Sequence, residues 1–372
     1  MFVMTQNKKQ DDKINTYTHR PMIQLLRFLA FIFLSASVCS TTYGQLKDDY
    51  SAKIDSLLQT TAPRSFNGVV LITKKGKIAY SRAFGYSDFE HKIPLKITDK
   101  FRIQSNSKQI TAVLILREVD KGNLLLEVPV RKYLPHITQS WADTVTLHHL
   151  LNFSSGITDI DQPLNFKPGT DFLYNVISYS MLGQVIEKVI GRTYIDAATD
   201  LFDELDMNNS FCYEEHKMQN RLVNGYTSAD NIFKLREHPV QREGWIDFIP
   251  AGGIVSNLQD LNNWDIKLHH GKILKPETYK LMTSYSITAQ HEAFGTARIG
   301  YGYGVYVNDK TPVKYIGHPG KGLGFASLKI YFPEKDVDMI VLENQYSDDS
   351  NLHYYFENKV REIVMNSNLL NE

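Results

Sequence analysis

The stretch FRIQSNSKQITAVLIL, residues 101–116, sets a serine and a lysine three apart, Ser105 and Lys108, ahead of apolar residues at Ile110, Val113, Leu114 and Leu116. That recurrence follows the helical period rather than strand alternation, so a helix is expected to start near Ser105. Three residues make almost one turn, which puts the Lys108 side chain beside the Ser105 hydroxyl on one helix face. A serine hydroxyl is a poor nucleophile at neutral pH until a neighbour takes its proton. A lysine whose pKa is lowered by burial or by another cation is such a neighbour. The unpaired N–H groups at a helix start also favour negative charge forming there, as an oxyanion requires. Alone, the same residues are more often an N-cap serine and a solvated lysine, and the other stretches of the chain are what raise the catalytic reading.

Outward from this stretch, the helix is expected to end at Asp120 and Lys121, with Gly122 as its left-handed stop. Before it, residues 68–73 (GVVLIT) and 77–84 (KIAYSRAF) are β-rich runs joined by a turn at 74–76, a hairpin that Gly85 ends. Residues 50–58 suit a short amphipathic helix, and 93–100 a loop. After it, residues 146–158 (TLHHLLNFSSGIT) read as a helix entering a Ser/Gly turn. Residues 168–170 are another turn, and 172–191 (FLYNVISYSMLGQVIEKVIG) finish as an amphipathic helix. Residues 213–249 are polar and irregular. Residues 250–264 (PAGGIVSNLQDLNNW) read as a Gly-rich turn and a helix capped by Ser256 or Asn257. Strand texture returns at 301–307, 313–317, 324–332 and 337–343, with a turn at 333–336 and a closing helix at 351–365. Strands at both ends and helices between predict an α+β fold. The two ends, about 45–115 and 245–372, share one mainly antiparallel sheet, and 116–244 form a helical lobe.

Lys plus Arg and Asp plus Glu number 41 each in 372 residues, so the formal net charge is zero. A basic surface for nucleic acid or anionic lipid is not indicated, and no nucleic-acid partner is expected. Residues 22–39 (MIQLLRFLAFIFLSASVC) hold an apolar core at 28–34 that is short for a membrane span. Small residues and TTYGQ follow, the layout of a secretory signal cleaved near Gly44. The expectation is a signal peptide at 1–44 and an exported domain at 45–372, periplasmic or secreted. Met22 followed by Arg27 makes a more ordinary signal start than the twenty polar residues before it. Cys39 is a candidate lipid anchor, preceded by a bulky Val38, and membrane attachment is expected only through it. Cleavage after Gly44 leaves Cys212 as the sole cysteine and no internal disulfide.

Five ordered stretches resemble one family. Ser105-Asn106-Ser107-Lys108 matches S-x-x-K; LLNFSSGI (150–157) resembles L-L-x-H-T-S-G-L; Phe172-Leu173-Tyr174-Asn175-Val176 stands where F-x-Y-S-N is found. PAGGIVSNLQDL (250–261) matches a P-A-G-G segment, and His318-Pro319-Gly320 stands at K-T-G or H-x-G. The chain therefore resembles the serine β-lactamase and penicillin-binding D,D-peptidase superfamily, in particular its class C-like branch of serine hydrolases, over nearly all of 45–372. The resemblance implies a β-lactamase/transpeptidase-like fold and acyl-enzyme chemistry without metal or cofactor. It casts Ser105 as nucleophile, with Lys108 and Tyr174 sharing the transfer of its proton to the leaving group. It places His318 on an edge strand beside the cleft, Gly320 and Lys321 at the substrate, and the N–H groups of Ser105 and Lys321 in an oxyanion hole. The substrate it implies is a small-molecule, peptide or cell-wall-like ester or amide. The alternative is a catalytically silent relative that binds a cell-envelope ligand or partner.

Departures from the pattern shape the substrate expectation. Asn175 falls at the family's serine and Val176 at its asparagine, and an aliphatic side chain cannot donate to a substrate carbonyl. Phe153 replaces a common histidine, and Pro319 removes one N–H with which an extended peptide pairs. Such a site is expected to handle β-lactams and peptides poorly and to have esterase-like capability. Other motifs carry less: GHPGKGLG (317–324) lacks the P-loop spacing, and G-x-S-x-G is absent. His148-His149 and His269-His270 are adjacent pairs that share no helix face, so no metal site is indicated.

Overall fold

Gly68 and Glu343, from opposite ends of the chain, face each other on neighbouring strands, and this pairing joins the two halves of the main sheet. The computed structural model describes residues 49–213, 222–236 and 245–371. The expected signal peptide, Gly44 and the Cys39 anchor candidate lie outside the described residues. Among those described, no helix is long and apolar enough to cross a membrane.

The sheet has eight strands: β1 (Gly68–Lys74), β2 (Lys77–Phe84), β3 (Ile287–Ala289), β4 (Ile299–Tyr301), β5 (Tyr306–Asn308), β6 (Tyr315–Gly322), β7 (Phe325–Phe332) and β8 (Val337–Glu343). Their spatial order is β3-β4-β5-β6-β7-β8-β1-β2, with every neighbour antiparallel. The β1–β2 hairpin turns on Lys75 and Gly76, both left-handed with φ of 52° and 70°, as a two-residue hairpin favours. β7 and β8 are buried along their whole length, the pattern of strands covered on both faces. Two β8 side chains five residues apart, and so on opposite faces, show the two coverings. Glu343 meets Arg64, which also lies near Glu357 of helix α5 (Tyr355–Met365). Asp338, on the other face, lies by Asp265 of helix α4 (Leu258–His269). Helix α1 (Tyr50–Leu58) packs with α5.

Helix α2 (Ser107–Asp120) follows a 3-10 turn at Gln104–Asn106 and ends as expected, with Lys121 as its cap and Gly122 at φ 80°. The sequence suggested one apolar face; instead every residue from Ser107 to Glu118 except Arg117 is buried. Polar positions are absorbed by hydrogen bonds, as where Thr111 Oγ1 donates to the Pro250 carbonyl at 2.6 Å. Helix α3 (Ile177–Ile190) ends at Gly191, φ 69°.

Three expectations are corrected. Residues 301–307 are not one strand but the ends of β4 and β5, reversed through Gly302 to Val305. Gly304 there has φ 69°, and a Cβ on it would lie 2.8 Å from the Lys108 carbonyl, so the chain turns against α2. Second, Pro-Ala-Gly-Gly is not a turn: Pro250 lies inside the helix Trp245–Gly252, which leads into the strand Ile254–Ser256. Packing overrides the breaker signal, because Gly183 of α3 leaves room for the proline; a Cβ there would stand 2.3 Å from Pro250 Cγ. The following helix α4 is capped by Asn257, whose side chain accepts from the Asp260 N–H at 2.9 Å. Third, the irregular stretch contains a hairpin, Tyr226–Ala229 with Ile232–Leu235, to which Gln345–Ser347 adds in parallel.

Candidate active site

Within residues 101–116 Ser105 alone is not buried. It sits in the 3-10 turn before α2, at the positive end of that helix, and the turn is strained: Gln104 has φ 51°, unusual for a non-glycine residue. Side chains hold the turn in place. Gln104 Nε2 donates to the Gly322 carbonyl at 2.8 Å, and Asn106 Nδ2 to Ser327 Oγ at 2.9 Å. Ser327 Oγ in turn donates to the Ile103 carbonyl at 2.9 Å. The turn is thereby tied to β6 and β7 on both sides of Ser105.

Two groups meet the Ser105 hydroxyl. Lys108 Nζ lies 3.0 Å from Ser105 Oγ and donates to the Ala251 carbonyl at 2.6 Å. The Tyr174 hydroxyl lies 2.7 Å from the same Oγ. Lys108 Nζ lies 4.8 and 5.6 Å from the ring centroids of Tyr174 and Tyr179, contacts that favour a cation, but its complete removal from water disfavours the ammonium more strongly. The Lys108 pKa is lowered to about 7 by this desolvation. A neutral amine fits the geometry: one N–H goes to Ala251, and the lone pair is left to accept from Ser105 Oγ–H. The Tyr174 pKa moves upward by desolvation, so its phenol keeps its proton and donates to Ser105 Oγ. Tyr174 retains 38% of its surface at the mouth of the site, while Phe153, 4.5 Å between ring centroids, backs the ring.

His318 stands apart from this chain of hydrogen bonds, its ring centroid 6.3 Å from that of Tyr174. It is buried, and desolvation, with Lys108 nearby, holds its pKa well below the usual imidazole value. The Pro319 carbonyl can only accept, so Nδ1 carries the proton and donates to it at 2.5 Å, while Nε2 accepts from the Tyr301 hydroxyl at 3.1 Å. Its strand β6 is not an edge strand of the sheet. However, β5 pairs with it only as far as Gly317, leaving one side of His318 to Gly322 without a neighbouring strand. The β6–β7 hairpin turns on Leu323 and Gly324, φ 50° and 83°, closing on the pair Gly322–Phe325. Alternation along the ladder then aims the Lys321 N–H away from β7, on that open side. The Lys321 ammonium is engaged elsewhere, with Glu292 at 3.0 Å.

The family model described as Beta-lactamase matches residues 55–360. The chain belongs to the Beta-lactamase family. Curated relatives include Penicillin-binding protein 4* of Bacillus subtilis, 26% identical over 346 residues, covering 82% of this chain and 74% of that protein. Protein flp of Staphylococcus aureus is 25% identical over 336 residues, covering 82% of this chain and 65% of flp. Among solved structures, D-amino acid amidase from Ochrobactrum anthropi superposes with TM-score 0.72 at 21% identity, over 86% of this chain and 99% of the other. An octameric penicillin-binding protein homologue from Pyrococcus abyssi gives 0.71 at 24%, over 93% and 78%. These two show the same fold.

Against the Beta-lactamase pattern, the departures read from the sequence take physical form. Asn175 turns inward on its own backbone: its Oδ1 accepts from the Ser178 N–H at 2.7 Å and its Nδ2 donates to the Leu173 carbonyl at 3.0 Å. Val176 is 41% exposed beside Tyr174. Phe153 holds φ 61° and packs its ring between Tyr174, Tyr179 and Tyr301. Sequence analysis missed the Ala251 carbonyl, since a main-chain acceptor leaves no residue signature. Gln104, one residue before the S-x-x-K stretch, and Tyr301, between the last two family stretches, were likewise not singled out.

Gly320 explains its own size. A Cβ there would stand 2.4 Å from the Ile103 carbonyl and 2.6 Å from Ser327 Oγ, displacing the turn that carries Ser105. Gly320→Ala is therefore expected to cost about 1–3 kcal/mol of stability by overpacking. It should also lower kcat/KM by roughly 100-fold, as a misplacement of about 1 Å does. Denaturant unfolding and steady-state kinetics on the variant check both.

Proposed function

We propose that the protein is an exported serine hydrolase that cleaves a carboxylic ester or amide through an acyl-enzyme on Ser105. The observation that supports this most is the convergence of a neutral-prone amine and a protonated phenol on one accessible hydroxyl. Lys108 takes the Ser105 proton as Oγ attacks the carbonyl carbon. The oxyanion formed is met by the N–H groups of Ser105 and Lys321, each such donor contributing about 3–4 kcal/mol in comparable sites. Tyr174 gives its proton to the leaving oxygen or nitrogen and is reprotonated from Lys108. Water then attacks the acyl-enzyme by the reverse relay. His318, bonded to Tyr301 and Pro319, positions β6 and its neighbouring rings rather than carrying a proton. Export is supported by the secretory layout of residues 22–44.

Since the base works only unprotonated, the pKa near 7 fixes the sign of the pH dependence. Hydrolysis of a p-nitrophenyl ester is expected to rise with pH through about 7 and to fall about tenfold per unit below it. A flat kcat/KM profile across that region removes Lys108 from the role and with it the proposed relay.

An ester-leaning substrate range is supported by Val176, which offers no donor to an amide carbonyl, and by Pro319, which offers no N–H to a peptide strand. Val176→Asn is expected to raise nitrocefin turnover relative to ester turnover by about tenfold, one hydrogen bond to the substrate. An unchanged ratio shows that this position does not set the preference. The same Val176 also favours the second reading, a silent binding protein, which requires that Ser105 is never acylated.

A further inference from the structure

Arg361, on α5, is 9% exposed, yet it forms no ion pair with a carboxylate among the described residues. The buried cations Arg64 and Lys329 differ, being paired with Glu343 and Asp265. Arg361 Nη1 donates to the Ala293 carbonyl at 3.1 Å, and its Nε is buried without a hydrogen-bond partner. The guanidinium carbon lies 5.9 Å from the ring centroids of both Phe294 and Tyr315. A guanidinium does not shed its charge by losing a proton. A buried one lacking a counter-ion is costly, and an anion arriving beside it recovers that cost.

The same side chain lines a cavity of about 390 Å³ between α5 and the β4–β5 end of the sheet. Phe294, Val307, Tyr315 and Met365 give it apolar walls, and the exposed Arg298 and Lys310 also line it. The one acid in the lining, Asp309, accepts from the Tyr285 hydroxyl at 2.8 Å. An apolar chamber with an excess of cations suits an anion that carries a hydrocarbon or aromatic body. Its volume suits a ligand of on the order of ten non-hydrogen atoms.

We propose that this cavity binds a small organic carboxylate with an apolar body, the carboxylate on Arg361. None of the groups assigned to the Ser105 reaction lines it, so it is a second site, separate from the hydrolase reading.

Calorimetric titration of the full chain with octanoate tests it, with 1-octanol and inorganic phosphate as comparison probes. Saturable one-to-one binding of octanoate is expected, at least about tenfold tighter than that of either comparison probe. Arg361→Gln is expected to weaken it at least about tenfold. Val307→Phe, which keeps Arg361 and fills the chamber, is expected to abolish it while the protein still unfolds cooperatively. Ser105→Ala is expected to bind as the parent does, which keeps the outcome independent of the hydrolase proposal. Octanol binding as tightly as octanoate, phosphate alone binding, no saturable binding, or unchanged affinity in Val307→Phe overturns the proposal.

Discussion

Ser105→Ala is expected to lose roughly 10⁴- to 10⁶-fold in turnover of an activated ester, the loss seen when an activated nucleophile is removed from a preorganised site. The reason is geometric. Lys108 Nζ at 3.0 Å and the Tyr174 hydroxyl at 2.7 Å converge on Oγ, so deleting that atom leaves the relay with nothing to activate. What is expected to survive is the polarising effect proposed for the N–H groups of residues 105 and 321, which the alanine variant retains. The fold should not suffer, because the supports of the turn are side chains of Gln104, Asn106 and Ser327 rather than the Ser105 hydroxyl. Kinetics and thermal unfolding of one preparation distinguish this from a folding defect. Turnover within tenfold of the parent places the chemistry elsewhere.

Lys108→Met is expected to lower kcat by roughly 10³- to 10⁴-fold, toward the upper end of what a general base contributes. Its effect on stability runs the other way. The amine is buried, and desolvation pulls its pKa down to about 7, so the fold pays to keep it there. An unbranched apolar side chain of similar length removes that cost, leaving only the Ala251 carbonyl without its donor. The variant is expected to unfold at a temperature equal to or above the parent's while being nearly inactive, a trade typical of functional sites. Lys108→Arg is not expected to rescue activity, since a guanidinium stays protonated at every pH at which the protein is folded. A Met variant that keeps its activity, or loses it only through unfolding, contradicts the role given to the amine.

The parts of this molecule legible in sequence are those written in side-chain periodicity. The S-x-x-K spacing, the GVVLIT hairpin and the pairing of the chain's two ends were all readable, and the structure holds Ser105, Lys108 and Tyr174 together. The misreadings share a cause, which is that tertiary packing overrode a local signal. Pro250 lies in a helix because Gly183 makes room for it. Residues 302–305 reverse because the chain turns against α2 there. α2 itself is buried on nearly all sides because α3 and the helices Trp245–Gly252, Pro276–Met282 and Tyr194–Glu204 pack around it, so its polar residues bond inward. His318, expected on an edge strand, lies on an internal strand whose neighbour β5 stops pairing at Gly317. The Ala251 carbonyl that receives Lys108 is main chain and leaves no trace in residue identity.

The most direct measurement is intact-mass spectrometry of the parent and of Ser105→Ala after exposure to a fluorophosphonate, followed by peptide mapping. The result expected is one adduct per chain in the parent, on Ser105, and none in the variant, with labelling slowing as the pH falls below about 7. A parent that stays unlabelled, or an adduct carried equally by the Ser105→Ala protein, contradicts the assignment of Ser105 as the nucleophile.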